Sequence, residues 1–280
     1  MINTAQAVKD KLKNISKEKN VDFNSVMRFY MYDRLVERLS KSKYKDNFIL
    51  KGGFYLSKLF GIDNRSTMDI DTAIRNVNFT EENIIKMITE IINIDVEDSV
   101  TFKIEKIEPI RDEDVYGGLR ITINFALENI KDKFHIDIAT GDPIYPGPDS
   151  YCYESLIGNE IYKVWSYNIE TVLAEKIETI LSKLETSSRM KDYYDIYLIY
   201  RFKFNKINKT RFRGAVEKTF EKREFNANLI TNLNIIKDSK VLREKWYSYA
   251  RKNNYARDLD FDDVVKCLEK FIEILVSVMV

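Results

Sequence analysis

The sequence predicts an α/β protein, with a mixed-sheet domain over residues 1–150 and a largely helical domain over 151–280. Three observations predict this. Eight of the nine glycines and all four prolines lie before residue 160, and strands and tight turns need such residues while uninterrupted helices exclude them. Several early segments alternate apolar and polar residues, whereas the later ones follow the helical period. Three of the four prolines fall in Gly141-Asp-Pro-Ile-Tyr-Pro-Gly-Pro-Asp149, a natural boundary segment in a 280-residue chain long enough for two domains.

The elements follow in order. Asn24 to Ser40 places Val26, Phe29, Tyr30, Leu35, Val36 and Leu39 at helical spacing. Ile49-Leu50-Lys51-Gly52-Gly53 leads into a turn, and a helix follows from about Phe54 to Phe60. Met68 to Arg75 reads as a strand with Met68 and Ile70 facing the core. Thr80 to Asn93 reads as a helix, with Thr80 as N-cap, Asn83 at the third position and Glu82 favourable to the dipole. Val100 to Ile107, Leu119 to Leu127 and Lys133 to Ala139 read as strands, the last two as a hairpin. Ile169 to Leu184 and Lys191 to Tyr200 read as helices.

The composition, 44% hydrophobic and 32% charged, excludes a disordered or collagen-like chain. Cys152 and Cys267 are too few for a disulfide framework and read as packing residues. The lysine-rich start has no apolar h-region, so a cytoplasmic protein is expected. The longest apolar stretch, Phe271 to Val280, is too short to span a bilayer and reads as a docked amphipathic helix, so no membrane partner is expected.

Asp69 and Asp71 stand two apart on a strand, so both project from one face. Adjacent carboxylates repel and resist desolvation unless a divalent cation sits between them. Asp137 repeats the pattern, with Phe134, Ile136 and Ile138 inward and His135 and Asp137 outward. If the two strands are neighbours, three carboxylates converge on a hard-cation site suited to Mg²⁺. A bare Asp-x-Asp is equally two solvated residues on an open sheet face. The upstream Gly52-Gly53 shifts the balance, because a glycine turn entering a helix offers N–H groups and a positive dipole end to a phosphate. Glycine turn, helix, then strand with Asp-x-Asp is the order in which a polymerase-β-like nucleotidyltransferase builds its site.

Phe48-Ile-Leu-Lys-Gly-Gly-Phe-Tyr-Leu56 followed by Arg65-Ser-Thr-Met-Asp-Ile-Asp71 resembles the first motif of the AbiEii/AbiGii-type nucleotidyltransferase toxins. Arg28-Phe-Tyr-Met-Tyr-Asp-Arg-Leu-Val-Glu-Arg-Leu-Ser40 is similar to that family's lead-in. Glu170-Thr-Val-Leu-Ala-Glu-Lys-Ile-Glu-Thr-Ile-Leu181 resembles its second motif, with Lys176 as the motif lysine, and Arg189-Met-Lys-Asp-Tyr-Tyr-Asp-Ile-Tyr197 its third. The motifs occur in the family's order between about residues 25 and 200. The resemblance implies a polymerase-β-like nucleotidyltransferase domain followed by a helical domain, use of an NTP with Mg²⁺, and a toxin restrained by a cognate antitoxin, with or without direct contact. Some relatives add nucleotides to tRNA ends. Phe54 stands where relatives often carry Thr, and Lys183 where many carry Arg, which replaces a planar fork by a point charge.

With the resemblance, roles are expected as follows. Asp69 and Asp71 bridge two Mg²⁺ ions, and Asp137 completes the metal site and polarises the attacking hydroxyl. Lys51, Gly52, Gly53 and Thr67 bind the nucleotide. Lys176 and Lys183, seven apart on one helix face, reach the triphosphate; Lys183 reads equally as a solvated lysine. Asp192 completes the catalytic set by orienting Lys176, or complements the helix dipole and pairs with Arg189 or Lys191. The role of Asp195 is left open. His135, the one histidine, has no expected catalytic duty, and the tyrosines at 193, 194, 197 and 200 read as core.

Lys+Arg is 45 against 44 for Asp+Glu, a net charge of +1 that, taken as a sum, argues against a nucleic-acid partner. Residues 201–258, however, hold 16 Lys/Arg and 6 Asp/Glu, a segment charge of +10 interleaved with aromatic residues such as Phe202, Phe220 and Tyr247. Basic charge and aromatic faces suit RNA phosphates and unpaired bases. The expected reaction is therefore transfer of NMP to an RNA acceptor, above all the tRNA 3′ end. The alternatives are transfer to a protein or small molecule, and a nucleotide-binding regulator without turnover.

Overall fold

A computed structural model describes residues 4–110 and 117–277, and divides the chain into two compact units. The first comprises residues 1–141 and 148–167, the second 142–147 and 168–280. The last three residues of the expected C-terminal helix, 278–280, and the first three of the chain lie outside the described residues.

The first unit begins with α1 (Ala5–Lys19), capped by Thr4, and α2 (Phe23–Lys41), capped by Asp22. All six apolar residues expected on the inner face of α2 are buried, which accounts for its position against the rest of the unit. Next come β1 (Phe48–Leu50), α3 (Gly52–Phe60) and β2 (Asp69–Ile74). The helix α4 (Glu81–Ile92) is capped by Thr80, whose side chain accepts from the Asn83 N–H, as its sequence predicts. Then follow β3 (Val100–Ile110), β4 (Gly118–Leu127), β5 (Ile130–Ala139), β6 (Asp149–Glu154) and β7 (Ile161–Ser166).

These strands form one seven-stranded mixed sheet in the order β3-β4-β5-β2-β1-β7-β6. β4 and β5 form the expected antiparallel hairpin, and β5 lies parallel beside β2. That neighbouring pair is the arrangement on which the three-carboxylate reading depends. β7 pairs parallel with β1, so residues 149–166 complete the sheet instead of opening the helical domain. The expected boundary at 150/151 therefore moves to 167/168, because the hydrogen bonds of β7 to β1 bind this hairpin to the first unit.

Two other expectations are corrected. β2 starts at Asp69, so the inward alternation does not reach back to Met68, which is 55% exposed and accepts from Arg28. Cys152 is exposed on the edge strand β6; only Cys267 packs inside.

The second unit contains α5 (Ile169–Lys183), α6 (Met190–Lys203), α7 (Lys209–Lys222), α8 (Leu229–Asp238), α9 (Lys240–Lys252) and α10 (Phe261–Val276). α10 buries Phe261, Val264, Val265 and Leu268, and within the expected docked stretch it buries Phe271, Ile272 and Ile274. The proline-rich segment 142–147 belongs here. Asn168 Nδ2 donates to the Tyr145 and Gly147 carbonyls at 2.9 and 3.0 Å, and the Tyr145 ring lies against α7 at Gly214. A Cβ on Gly214 would stand 2.2 Å from that ring, which explains a glycine inside a helix. Tyr193 and Tyr194 are buried, while Tyr197 and Tyr200 are half-buried. Among the described residues, no helix is long and apolar enough to cross a membrane.

Candidate active site

The parallel register of β2 and β5 sets Asp71 directly beside Asp137 and Asp69 beside His135. Because alternate residues share a face, Asp69, Asp71, His135 and Asp137 stand together on one side of the sheet. Ile70 and Ile136, between them, are each 2% exposed and anchor the strands from the opposite side.

The glycine turn meets these carboxylates directly. Gly53 N–H donates to Asp71 Oδ2 at 2.9 Å, and Lys51 N–H donates to the Asp71 carbonyl at 3.0 Å. Gly52 adopts φ +59°, in the left-handed region, and a Cβ there would lie 2.4 Å from Asp71 Oδ2. Both features require glycine. Gly52→Ala is expected to push Asp71 from its place and to lower any activity of this site by about 100-fold, since misplacement of about 1 Å costs that much. Steady-state kinetics beside a melting curve would check it, and unchanged kinetics would contradict it.

Over the same turn stand Arg65 and Thr67. A Cβ on Gly53 would lie 3.0 Å from an Arg65 guanidinium nitrogen and 3.2 Å from Thr67 Oγ1. Arg65 is 4% exposed and donates to the Ser66 carbonyl. Thr67 lies before the strand and donates to the Asp69 carbonyl at 3.3 Å, so it reaches the turn from the loop and not from the sheet face. The ammonium of Lys51 lies 5.1 Å from the centre of the Tyr167 ring.

Arg120 on β4 is a further member of the site that was not expected. It stands opposite Asp137 in the antiparallel register and grips both carboxylate oxygens, at 2.8 and 2.6 Å. The hydrogen bonds to Asp137, and then the nearby Asp69 and Asp71 charges, push its pKa higher still against a smaller opposing effect of burial. A planar fork facing a carboxylate is the geometry arginine is built for. His135 Nδ1 shares a hydrogen bond of 3.1 Å with Thr122 Oγ1. Arg65 opens the same run that carries Asp69 and Asp71, which could have singled it out. Arg120 has no local motif and becomes visible only through strand pairing.

Burial raises the Asp69 pKa, and the neighbouring Asp137 charge adds to the rise, partly offset by His135 and Arg120. A carboxylate raised in the fold binds more protons folded than unfolded just above its ordinary pKa near 3.9, so stability falls as pH rises through that window. Ionised Asp69 therefore costs stability. Asp69→Asn is expected to raise the metal-free Tm by about 1–3 °C at pH 7 and to leave it unchanged at pH 3.5. Calorimetry checks this, and a lowered Tm at pH 7 would contradict it.

As oriented, no three carboxylate, histidine or cysteine side chains among the described residues are gathered to hold a metal ion. The cause is visible: Arg120 holds both oxygens of Asp137, and Gly53 N–H holds one of Asp71. In donor chemistry the set still fits a hard divalent cation, with three carboxylates on one face of adjacent strands.

In the helical unit, Lys176 of α5 is buried between two carboxylates of α6. Its Nζ lies 2.7 Å from Asp192 Oδ1 and 2.7 Å from Asp195 Oδ2, and Arg189 Nε donates to Asp192 Oδ2 at 2.6 Å. Both aspartates are 0% exposed and Lys176 is 8% exposed. Burial alone would raise the Asp192 pKa, but the Lys176 and then the Arg189 charges outweigh it and hold it well below the usual carboxylate range. Burial likewise opposes the charge on Lys176, and Asp192 and Asp195 overcome it. The two roles weighed for Asp192, contact with Lys176 and pairing with Arg189, occur together. Lys183 is half-buried at the last turn of α5, away from this triad, and its carbonyl accepts from Thr186 Oγ1.

No curated protein matches the chain at a significant level. Among solved structures it is similar to JHP933 from Helicobacter pylori, at 14% identity over 89% of this chain and 90% of that one, with a TM-score of 0.48. It is also similar to an antigenic nucleotidyltransferase-like protein from Paracoccidioides brasiliensis, at 12% identity over 86% of this chain and 92% of that one, with a TM-score of 0.40. Residues 34–267, which include the carboxylate face, the glycine turn and the Lys176 triad, match the family described as nucleotidyl transferase AbiEii toxin of Type IV toxin–antitoxin systems, and the chain belongs to that family.

Proposed function

We propose that the protein transfers a nucleoside monophosphate from an NTP to an RNA acceptor, the 3′ end of tRNA, and that a cognate antitoxin restrains it. One observation carries the reading: Asp71 stands beside Asp137 across the β2–β5 pair while accepting the Gly53 N–H. A phosphate-binding turn and a pair of carboxylates thereby meet at one point.

In this reading Gly52 and Gly53, with Lys51, Arg65 and Thr67, hold the triphosphate tail. Asp69 and Asp71 would hold Mg²⁺, two ions by the family resemblance, with Asp137 completing the set. The bound cations would neutralise charge on the phosphates. Asp137 accepts the proton of the attacking hydroxyl, which attacks the α-phosphate in line as pyrophosphate leaves. For that, the Arg120 fork must release at least one Asp137 oxygen. Arg120 thus keeps Asp137 aimed until substrate arrives. Lys176, held by Asp192 and Asp195, and Lys183 are carried from the motif as nucleotide-binding residues.

The protein incubated with labelled NTPs, Mg²⁺ and total tRNA should label the tRNA, each of the four NTPs being tried in turn, and Asp69→Ala should abolish the label. Labelled protein beside untouched RNA would move the acceptor to a protein side chain. Labelling that survives Asp69→Ala would refute the assignment of the site. Growth inhibition that persists in Asp71→Ala would instead indicate a regulator without turnover.

A further inference from the structure

Part of the +10 charge of residues 201–258 is met within the fold. Arg223 pairs with Glu178 at 2.6 Å, Arg243 with Asp262 at 2.7 Å and Lys218 with Glu221 at 2.8 Å. Lys237 pairs with Glu269. Arg213 donates to the Ile274 carbonyl at 2.9 Å, and Lys245 to those of Glu185 and Ser187 at 2.6 and 3.0 Å. These cations serve the helical packing. A distributed basic surface therefore overstates what the segment offers to RNA.

The longest run of the segment without a carboxylate is the corner between α6 and α7. Residues 196–216 contain six Lys/Arg and no Asp/Glu. Lys206 and Lys209 are exposed and Lys203 is half-buried, and among the described residues none of the three forms an ion pair. Burial, and then the neighbouring Lys206 charge, lower the Lys203 pKa; no carboxylate acts on it. Beside them Phe202 is 44% exposed, and the Arg201 guanidinium lies 5.4 Å from its ring centre.

The corner is also rigid. Phe204 packs on Tyr200 and Phe271, with ring centres 4.7 and 5.4 Å apart, and Ile207 is buried. Asn208 N–H donates to buried Glu170 at 2.9 Å, while its side chain caps α7 through the Thr210 and Arg211 N–H groups. With Phe204 and Ile207 fixed inward, Phe202, Lys206 and Lys209 are held outward at little further entropic cost.

We infer that the α6–α7 corner is the RNA-contacting element of the helical unit, with Lys203, Lys206 and Lys209 on backbone phosphates and Phe202 against an unstacked base. A like-charged cluster with no counter-ion gains most from a polyanion, and an exposed ring supplies a stacking face. This rests on the RNA-acceptor reading and narrows it to four residues.

The test is the affinity of the full-length protein for fluorescently labelled tRNA, by anisotropy over a salt series. Lys206→Glu with Lys209→Glu should weaken binding at least tenfold and reduce the slope of log K against log salt by about 2. Phe202→Ala should weaken it about tenfold with the slope unchanged. Lys266→Glu, a reversal on the exposed side of α10, should change neither quantity. If the unaltered protein binds tRNA and the double reversal matches it in affinity and slope, the corner is wrong and the acceptor reading stands. If the unaltered protein neither binds nor labels RNA, both fall.

Discussion

Lys176→Met is expected to destabilise the helical unit by about 3–5 kcal/mol, lowering its Tm by about 10 °C or more. The substitution removes the one cation that Asp192 and Asp195 share, each at 2.7 Å and each fully buried. Arg189 still reaches Asp192, and Asp195 loses the Lys176 ammonium at 2.7 Å. Lys176→Met combined with Asp195→Asn should therefore recover part of the loss, a coupling that a double-mutant cycle reads directly. The triad also fixes a pH dependence. The lowered Asp192 pKa gives stability that is present above the unfolded value near 3.9 and lost as pH falls through the folded one. The raised Lys176 pKa gives stability that is present below about 10.4 and lost as pH rises through its folded value. The contribution should thus be constant between about pH 5 and 9. A Tm for Lys176→Met within 2 °C of the unaltered protein would show that the triad is incidental to the fold.

Asp71→Ala is expected to lower nucleotidyl transfer by at least about 10³-fold without loss of the fold. Asp71 does two things at once: it accepts the Gly53 N–H, and it faces Asp137 across the register. On the proposed function, losing its carboxylate would remove a metal donor and free the turn that would hold the triphosphate. Asp71→Asn should restore the hydrogen bond to Gly53 but not the charge, so it should recover nucleotide affinity and not turnover. Nucleotide binding by calorimetry and transfer rates, measured on both variants, separate the two roles. Equal turnover in Asp71→Asn and the unaltered protein would contradict the charge requirement.

Much of this site is legible in the sequence because it is local. The two-residue spacing of Asp69 and Asp71, the glycine turn at 52–53 and the alternation around Asp137 each follow from one segment and a known period. Their convergence is not local. It depends on β5 lying parallel beside β2 across some 65 residues, which no period encodes. Arg120 escaped for the same reason, since its importance comes from standing opposite Asp137. The β6–β7 hairpin was hidden by the prolines beside it: Pro143, Pro146 and Pro148 read as a boundary, but the chain passes through the helical unit at 142–147 and returns to the sheet. The Lys176 triad was visible as a motif and not as an energy, because spacing does not report burial. Net charge misled twice, once as a sum of +1 and again as a segment of +10, since neither counts ion pairs formed in space.

On the proposed function, the face bearing Asp69, Asp71 and Asp137 moves a nucleoside monophosphate and releases pyrophosphate. The most direct measurement compares tRNA incubated with the protein, Mg²⁺ and an NTP labelled at either the α- or the γ-phosphate. The α-label should enter RNA, the γ-label should leave as pyrophosphate, and Asp71→Ala should stop both. A γ-label on the acceptor, or an α-label that persists in Asp71→Ala, would contradict that function.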